Sequence, residues 1–320
     1  MRIAVIGAGA VGGALAARLA GSGHVVAVTA RGAHLAAIQQ GGIRLRGAWG
    51  SVDAAVTASP LLQETPDIAI IATKAQDAAA ALRDNAQYLQ GIPVLVVQNG
   101  LEGIATGRRE LPASVVSGGL AMFAASFLAP GEITITAPGS TFVGGDGAAW
   151  IASALPELEL QVVSDFAGAQ WSKLVVNQVN ALPAITGLSA QETIASPRLR
   201  RLLVASMKET VRVGLASGVH FATLSGLSHG LLRAFELAPF ALAQIVPALM
   251  ARRMGPVPNP GSTLQSIKRG QLSEIDYLNG AVVAAAAQVG LPAPVNARLV
   301  ALVHEVERTG AFMSQNSFRA

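Results

Sequence analysis

The sequence of 320 residues is rich in apolar side chains (51%) and poor in charged ones (13%), which favours two domains with large hydrophobic cores. A net charge of +4, with two Tyr, three Trp and no dense Lys/Arg run, argues against nucleic-acid binding. There is no apolar run long enough for a membrane span, and the lack of cysteine excludes disulfides and thiol catalysis.

The first stretch along the chain predicts a dinucleotide-binding turn. An apolar run, residues 3–6, leads into the glycine-rich sequence GAGAVG and then into an Ala- and Leu-rich segment with helical character. In such a strand, turn and helix, the three glycines allow a tight turn, close approach of a pyrophosphate and close helix packing. The helix start directs its N–H groups at the phosphates. The predicted cofactor-binding residues are Gly7, Ala8, Gly9, Ala10, Val11 and Gly12. A glycine turn without a ligand is the alternative.

The same N-terminal residues resemble a secretory signal, because Met1 and Arg2 precede an apolar, Ala-rich stretch. Arg18 and the glycines interrupt that stretch, however, which argues against a continuous signal helix. We therefore predict a cytoplasmic location.

The remaining elements of the first half predict an α/β domain, and those of the second half predict a helical one. Continuous apolar runs indicate buried parallel strands, and 3.6-residue spacing indicates helices. The predicted strands are 24–29, 67–73, 93–97, 115–117, 132–137, 141–144 and 160–163, with a crossover helix at 75–90. The predicted later helices are 167–188, 197–217, 273–289 and 294–308, and 255–261 is a predicted loop. The fold class is thus α/β: a Rossmann-type NADP-binding domain over residues 1–166, then an all-helical substrate domain over 167–320.

The end of the second predicted strand indicates which dinucleotide binds. In NAD-binding domains an acidic residue there accepts hydrogen bonds from the ribose 2′-OH. This chain has no Asp or Glu before Asp53, and Arg31 follows the strand instead. A guanidinium suits a 2′-phosphate, so the sequence predicts NADP(H). A solvated surface arginine is the alternative.

Two later strand ends also carry polar residues that belong to the predicted site. Lys74 closes one strand, and Asn99 follows the next. Ligands of open α/β sheets bind beyond the carboxyl ends of the strands, so both side chains are expected there. A surface lysine and a simple tight turn are the alternatives.

The helical half contains two segments with unexpected polar residues. On a helix over residues 171–182, Lys173, Asn177 and Asn180 form one stripe among apolar side chains. Such groups need buried partners or a wet cleft, which we expect between the domains. An exposed polar stripe on a helix that is buried elsewhere is the alternative. Further on, Ser273 with Asp276 resembles a capping box, which would explain the acids there, Glu274 included, without any catalytic role. The five His residues (24, 34, 220, 229 and 304) lack metal-ligand spacing and are predicted to be ordinary surface or core residues, with no metal site.

Together these pieces resemble the ketopantoate reductase (2-dehydropantoate 2-reductase) family over nearly the whole chain. The matching stretches are GAGAVG, Arg31, TK at 73–74, QNG at 98–100, WSKLVVN at 171–177, Ser262 and SEIDYLNG at 273–280. The resemblance implies a Rossmann domain joined to a helical domain, and NADPH-dependent reduction of a 2-keto acid in pantothenate biosynthesis.

The resemblance also implies roles for individual residues. Lys173 matches the catalytic lysine, Asn177 and Ser262 match substrate-binding positions, and Asn99 matches an asparagine near cofactor and substrate. Glu274 matches a glutamate near the site, acting on the lysine or the cofactor. Lys74 and Ala125 match cofactor contacts, and Asn180 is a further candidate for orienting substrate. Two positions depart from the family pattern: Ala181 replaces a second substrate asparagine, and Ser266 replaces an Asp.

The function that follows is reduction of ketopantoate to pantoate by NADPH. Two alternatives stay open: a related NADP-dependent dehydrogenase for another 2-keto acid, and a non-catalytic NADP-binding regulator. Expected partners are a small 2-keto acid, with no nucleic acid and no membrane. A homodimer is left open.

Overall fold

A computed structural model describes residues 1–224, 226–255 and 257–318. The chain divides into two compact units, residues 1–166 and the residues from Ala167 onward. The first unit mixes strands and helices and the second is built from helices. The predicted fold class, an α/β half followed by a helical half, is therefore confirmed.

The strands of the first unit form two sheets. They are β1 Arg2–Ile6, β2 Val25–Thr29, β3 Ile43–Gly47, β4 Val52–Ala54, β5 Thr57–Ser59, β6 Ile68–Ile71, β7 Val94–Val97, β8 Val116–Ala121, β9 Ala124–Ala129, β10 Glu132–Ala137, β11 Thr141–Gly145 and β12 Leu160–Val162. The eight-stranded sheet has the order β12-β11-β8-β7-β6-β1-β2-β5. Its six successive strands β8-β7-β6-β1-β2-β5 pair in parallel with one another. The four-stranded sheet has the order β4-β3-β10-β9.

The central strand β1 explains why the apolar runs form a parallel sheet. Ile3 and Val5 belong to the core on one face, while Ala4 and Ile6 belong to the core on the other. Side chains of a strand alternate between faces, so a strand covered on both sides must be apolar throughout. Each large side chain buried this way contributes roughly 1.5–3 kcal/mol.

The predicted strands at 24–29, 67–73, 93–97, 132–137, 141–144 and 160–163 are confirmed, with small differences at their ends. The strand predicted at 115–117 extends to Ala121. The strands β3, β4, β5 and β9 were not predicted. The sequence of β3, IRLRG, buries only alternate residues, and β4 and β5 are three residues each, so none offers the continuous apolar run that marks the other strands.

Helices cover the sheets of the first unit. They are α1 Ala10–Gly21, α2 Gly32–Gly41, α3 Ala75–Asp84, α4 Ala86–Leu89, α5 Gly103–Glu110 and α6 Ala148–Ala154. The prediction of one helix over residues 75–90 is wrong, because the helix is interrupted at Asn85. The buried Asn85 side chain accepts the N–H of Leu62 at 2.8 Å and donates to the carbonyl of Ala81 at 2.8 Å. Its backbone leaves helical geometry, which ends α3.

The second unit consists of helices α7 Phe166–Asn177, α8 Ala181–Thr186, α9 Ala190–Ala195, α10 Pro197–Ala216, α11 His229–Leu237, α12 Phe240–Ala243, α13 Ile245–Arg253, α14 Gly261–Lys268, α15 Asn279–Gln288 and α16 Pro294–Thr309. The first of these, α7, starts at the last residue of the first unit. The predicted helices at 197–217 and 294–308 are confirmed as α10 and α16. The predicted loop at 255–261 is confirmed up to Gly261, where α14 begins, except that Pro256 lies outside the described residues. Across the described residues, no helix is both long and apolar enough to cross a membrane.

The continuous helix predicted over residues 167–188 is wrong. A 3-10 turn, Gln178–Asn180, separates α7 from α8. Pro183 explains the break, because it has no N–H for the carbonyl of Val179 and its ring crowds that carbonyl. Lys173 and Asn177 share α7, and Asn180 lies in the 3-10 turn that follows it.

The helix predicted to begin at Ser273 with a capping box is also wrong. Residues Ile275–Tyr277 form a 3-10 turn, and α15 starts only at Asn279, after the non-helical Leu278 (φ −106°, ψ −92°). Ser273 Oγ accepts the N–H of Ile275 at 3.3 Å, and Asp276 Oδ1 lies 2.9 Å from His304 Nε2 instead of capping a helix.

A buried polar cluster ties four elements of the second unit together. Asn279 Nδ2 donates to Gln178 Oε1 at 2.7 Å and to Asn296 Oδ1 at 2.9 Å, and Ser206 Oγ lies 2.8 Å from Gln178 Oε1. Glu209 accepts from the Asn296 side chain at 2.8 Å. Since buried polar groups are costly to leave unpaired, this cluster specifies how α10, α15 and α16 meet the turn after α7.

Candidate functional site

The glycine turn of the first unit is fixed by hydrogen bonds to the end of β2. The N–H of Gly7 donates to Thr29 Oγ1 at 3.0 Å, and the N–H of Ala8 donates to the Thr29 carbonyl at 3.0 Å. Thr29 itself is buried. The turn therefore holds the start of α1 at the carboxyl end of the central strands, where α/β proteins bind ligands.

The three motif glycines meet different surroundings. A Cβ on Gly12 would lie 2.1 Å from the Gly7 carbonyl oxygen, and Gly7 has φ +92° with the Thr73 nitrogen 2.8 Å from an added Cβ. A Cβ on Gly9 would meet no atom of the described chain within 4 Å. Gly7 and Gly12 are thus required by packing, whereas the bare backbone at Gly9 faces open space, as a pyrophosphate at the helix start requires.

His34 stabilises the glycine turn, a role that the sequence did not indicate. Its Nδ1 accepts the N–H of Gly131 at 3.0 Å, so its Nε2 carries the proton and donates to the Ala8 carbonyl at 2.7 Å. Burial lowers the pKa of His34 below its usual value, which favours this neutral form. His34 thereby links the glycine turn to the loop before β10. An isolated histidine gives no sequence signal for such a contact.

The other predicted cofactor residues lie around the same end of the unit. Arg31 is exposed and immediately precedes α2. Lys74 precedes α3 in extended geometry, and Asn99 follows β7; both are partly buried. Gln98 donates from Nε2 to the Thr73 carbonyl at 2.9 Å, so the loops that carry Lys74 and Asn99 are joined.

Ala125, the remaining cofactor residue predicted in this unit, lies in the four-stranded sheet. It is partly buried in β9, pairs with Ile135 of β10 and packs against the same core as α1.

In the second unit, Glu274 lies close enough to Lys173 for its charge to act on the lysine. Lys173 keeps some solvent-accessible surface, yet burial around its ammonium group lowers its pKa to about 8, and the charge of Glu274 opposes that change. Because an amine with a pKa near neutrality exchanges protons readily, Lys173 has the properties of a general acid.

No group of three or more His, Cys, Asp or Glu among the described residues could hold a metal ion.

A second pair of predicted residues is brought together where α14 begins. A Cβ added to Gly261 (φ +69°) would lie only 2.6 Å from Asn180 Oδ1. The Asn180 side chain therefore packs against the backbone of Gly261, which precedes the exposed Ser262. Asn177 is partly buried on α7.

The two positions that depart from the family pattern are both buried. Ala181 is fully buried, and Ser266 is buried with its Oγ donating to the Ser262 carbonyl at 3.2 Å. Ala181 therefore contributes no polar group, whereas Ser266 supports the turn that carries Ser262.

The sheet order, the glycine turn and the partly buried Lys173 are features of a dinucleotide-dependent oxidoreductase with a separate helical unit. Comparison with known proteins narrows this class. The family described as "Ketopantoate reductase PanE/ApbA" matches residues 3–146, and "Ketopantoate reductase PanE/ApbA C terminal" matches residues 165–307. The chain belongs to the ketopantoate reductase family and is an NADP-dependent oxidoreductase.

Individual relatives agree with this assignment. A 2-dehydropantoate 2-reductase of Pyrococcus horikoshii is 28% identical, over 97% of this chain and 99% of the relative. One from Caulobacter vibrioides is 29% identical, over 94% and 98%. The crystal structure of a ketopantoate reductase from Ralstonia eutropha JMP134 has a TM-score of 0.81 at 29% identity, covering 96% of this chain and 99% of that one.

A more distant structure shares the fold. D-mandelate dehydrogenase with NADH and anilino(oxo)acetate has a TM-score of 0.80 at 20% identity, covering 97% of this chain and 99% of that one.

Proposed function

We propose that this protein reduces a 2-keto acid with NADPH, and that the acid is 2-dehydropantoate (ketopantoate), giving pantoate. The observation that carries the proposal is Lys173: a lysine on an apolar helix whose pKa burial lowers to about 8, with the charge of Glu274 acting on it. The family matches and the names of the relatives support the substrate.

In this proposal, the second unit supplies the proton and orients the acid. When bound, the nicotinamide supplies the hydride for C2 of the keto acid. Lys173 polarises the ketone oxygen and donates a proton to it as the alkoxide forms. Asn177 and Asn180 orient the substrate, and Ser262 donates a hydrogen bond to its carboxylate. Glu274 holds the lysine in its charged form.

The first unit supplies the cofactor site. The N–H groups at the start of α1, next to the open backbone of Gly9, would bind the pyrophosphate, and Arg31 would pair with the 2′-phosphate. Lys74, Asn99 and the backbone of Ala125 are the further contacts that we propose. The open space at Gly9 and the exposure of Arg31 support these assignments.

The structure also supports a proposal about substrate discrimination. Carboxylate and ketone are common to all 2-keto acids, so only groups that meet the distal hydroxyl can select ketopantoate. A site that hydrogen-bonds a hydroxyl rejects analogues lacking it by about 10⁴-fold or more, because its polar groups are otherwise left unpaired. Ala181, buried and apolar, gives no such partner. We therefore expect ketopantoate turnover with weak rejection of analogues.

The experiment is a comparison of kcat/KM for ketopantoate and for its deoxy analogue, 2-oxo-3,3-dimethylbutanoate, with NADPH oxidation as the readout. The expected result is turnover of both, with a preference for ketopantoate well below about 10⁴-fold. A larger preference would show an intact hydroxyl pocket and refute the interpretation of Ala181. If other 2-keto acids react and ketopantoate does not, the protein is a reductase for another acid. NADPH binding without turnover of any keto acid would indicate a regulator.

Assembly and location are further predictions. Side chains with high exposure on and near α11 and α12 offer apolar surface for a homodimer: Leu237 (78%), Leu242 (58%) and Ile245 (54%). Light scattering of the purified protein distinguishes a dimer from a monomer. A cytoplasmic location and a role in pantothenate biosynthesis also remain predictions.

A further inference from the structure

The segment that carries Glu274 is anchored to helix α16 on both sides of that residue. Before it, the N–H of Ser273 donates to Glu307 Oε1 at 2.7 Å. After it, Asp276 Oδ1 lies 2.9 Å from His304 Nε2. Glu274 thus lies between two attachment points on one helix.

His304 joins the two attachment points into one network. Its Nδ1 lies 2.8 Å from Glu307 Oε2, so each ring nitrogen faces a carboxylate. A protonated imidazole donates to both, and such charge-assisted hydrogen bonds are stronger than neutral ones. The Glu307 side chain is only 7% exposed, whereas that of His304 is 46% exposed.

The charges of the network agree with this arrangement. Burial on its own lowers the pKa of His304, but hydrogen bonds and charge from Asp276 and Glu307 raise it above its usual value. Burial raises the pKa of Glu307, but hydrogen bonds from Ser273 and His304 bring it below its usual value. Both groups therefore favour the charged forms that bond each other.

The segment depends on these side chains because it lacks regular secondary structure. It contains only the three-residue turn Ile275–Tyr277, and Leu278 separates that turn from α15. A single 3-10 turn has poor hydrogen-bond geometry and little stability of its own. The bonds to α16 therefore help to fix where the Glu274 carboxylate lies, together with the buried side chains of Ile275 and Leu278.

We propose that Glu307, together with His304, is a positioning residue for the reaction: it holds the 273–277 segment so that Glu274 stays beside the ammonium group of Lys173. This inference rests on the proposed function, in which Lys173 donates the proton. Glu307 does not touch the substrate in this account. It acts through Glu274.

A measurable consequence follows from the sign of the Glu274 effect. The charge of Glu274 raises the pKa of Lys173 against the effect of burial. If Glu274 moves away, burial acts unopposed and the pKa of Lys173 falls. The basic limb of the kcat/KM pH profile, where Lys173 loses its proton, then moves to lower pH.

The experiment compares four variants with the unmutated protein by NADPH-dependent reduction of ketopantoate across pH, with thermal unfolding as a folding check. Glu307→Ala removes the hydrogen bonds that the Glu307 carboxylate makes with the Ser273 N–H and with His304 Nδ1. His304→Ala removes the bond to Asp276 from a half-exposed position, so its folding risk is low. Glu307→Gln keeps an oxygen that can accept the Ser273 N–H. The control Glu305→Ala removes the exposed bond to Arg308 on the same helix.

The proposal predicts that Glu307→Ala and His304→Ala lower kcat by roughly 10- to 100-fold, the cost of a small misplacement. The basic limb should move down by up to roughly one pH unit, the scale of a lost opposite charge. Glu307→Gln should recover part of both effects, and Glu305→Ala should show neither.

A folded Glu307→Ala that matches Glu305→Ala would overturn the proposal, as would a loss of kcat with an unmoved basic limb. If Glu307→Ala does not fold, His304→Ala decides by the same two readouts. Absence of keto acid turnover in the unmutated protein would instead refute the proposed function.

Discussion

The glycine turn and the Lys173–Glu274 pair differ in how their geometry arises from the sequence. The turn is built from consecutive residues, and the β-strand and helix on either side of it fix its shape with help from Thr29 and His34. The pair joins two segments far apart in the sequence, one on α7 and one in an irregular segment attached to α16. A local site can be recognised from spacing alone, whereas a long-range site depends on tertiary packing.

The largest expected effect is at the long-range site. Lys173→Ala removes the proposed proton donor and should lower kcat by roughly 10²–10⁴-fold, the usual contribution of such a group. NADPH affinity should change little. Steady-state kinetics with ketopantoate, together with a direct NADPH-binding titration, measure both quantities. If kcat survives and only KM rises, Lys173 binds substrate and the proton comes from another group.

The next effect concerns cofactor choice at the local site. Arg31 is exposed, and a charge-assisted contact to a 2′-phosphate contributes roughly 1.5–3 kcal/mol. NADPH should therefore bind on the order of ten- to a hundredfold more tightly than NADH, and Arg31→Ala should remove most of that preference. Equal affinities for the two cofactors in the unmutated protein would contradict this role.

A matched pair of glycine substitutions separates folding from binding within the same turn. Gly12→Ala places a Cβ 2.1 Å from the Gly7 carbonyl oxygen, so it should destabilise the protein by about 1–3 kcal/mol. Gly9→Ala has open space and ordinary φ (−65°), so it should cost under about 1 kcal/mol of stability while weakening NADPH binding about tenfold or more. Thermal unfolding and NADPH titration of both variants provide the test. Unchanged NADPH affinity in Gly9→Ala would mean that the phosphates bind elsewhere.

These differences also show how far the sequence could predict the molecule. The apolar runs of β1, β6 and β7 and the glycine motif are local features of the sequence. The main strands of the α/β half could therefore be predicted from them. The capping box assigned to Ser273 and Asp276 failed because Asp276 bonds His304, a residue from another helix. The continuous helix predicted over residues 167–188 failed because a 3-10 turn interrupts it before Pro183. His34, His304 and Glu307 gave no signal, since the glycine turn and the 273–276 segment that they contact are distant from them in sequence.

The most direct measurement of the central claim is the pH dependence of kcat/KM for ketopantoate reduction. The ammonium form of Lys173 is the proton donor, and burial lowers its pKa to about 8. Activity should therefore be about half-maximal near pH 8, approach its full value well below that pH and fall towards tenfold per pH unit well above it, and Lys173→Ala should lack this limb. A basic limb near the ordinary lysine pKa of about 10.4, or one that persists in Lys173→Ala, would contradict the account.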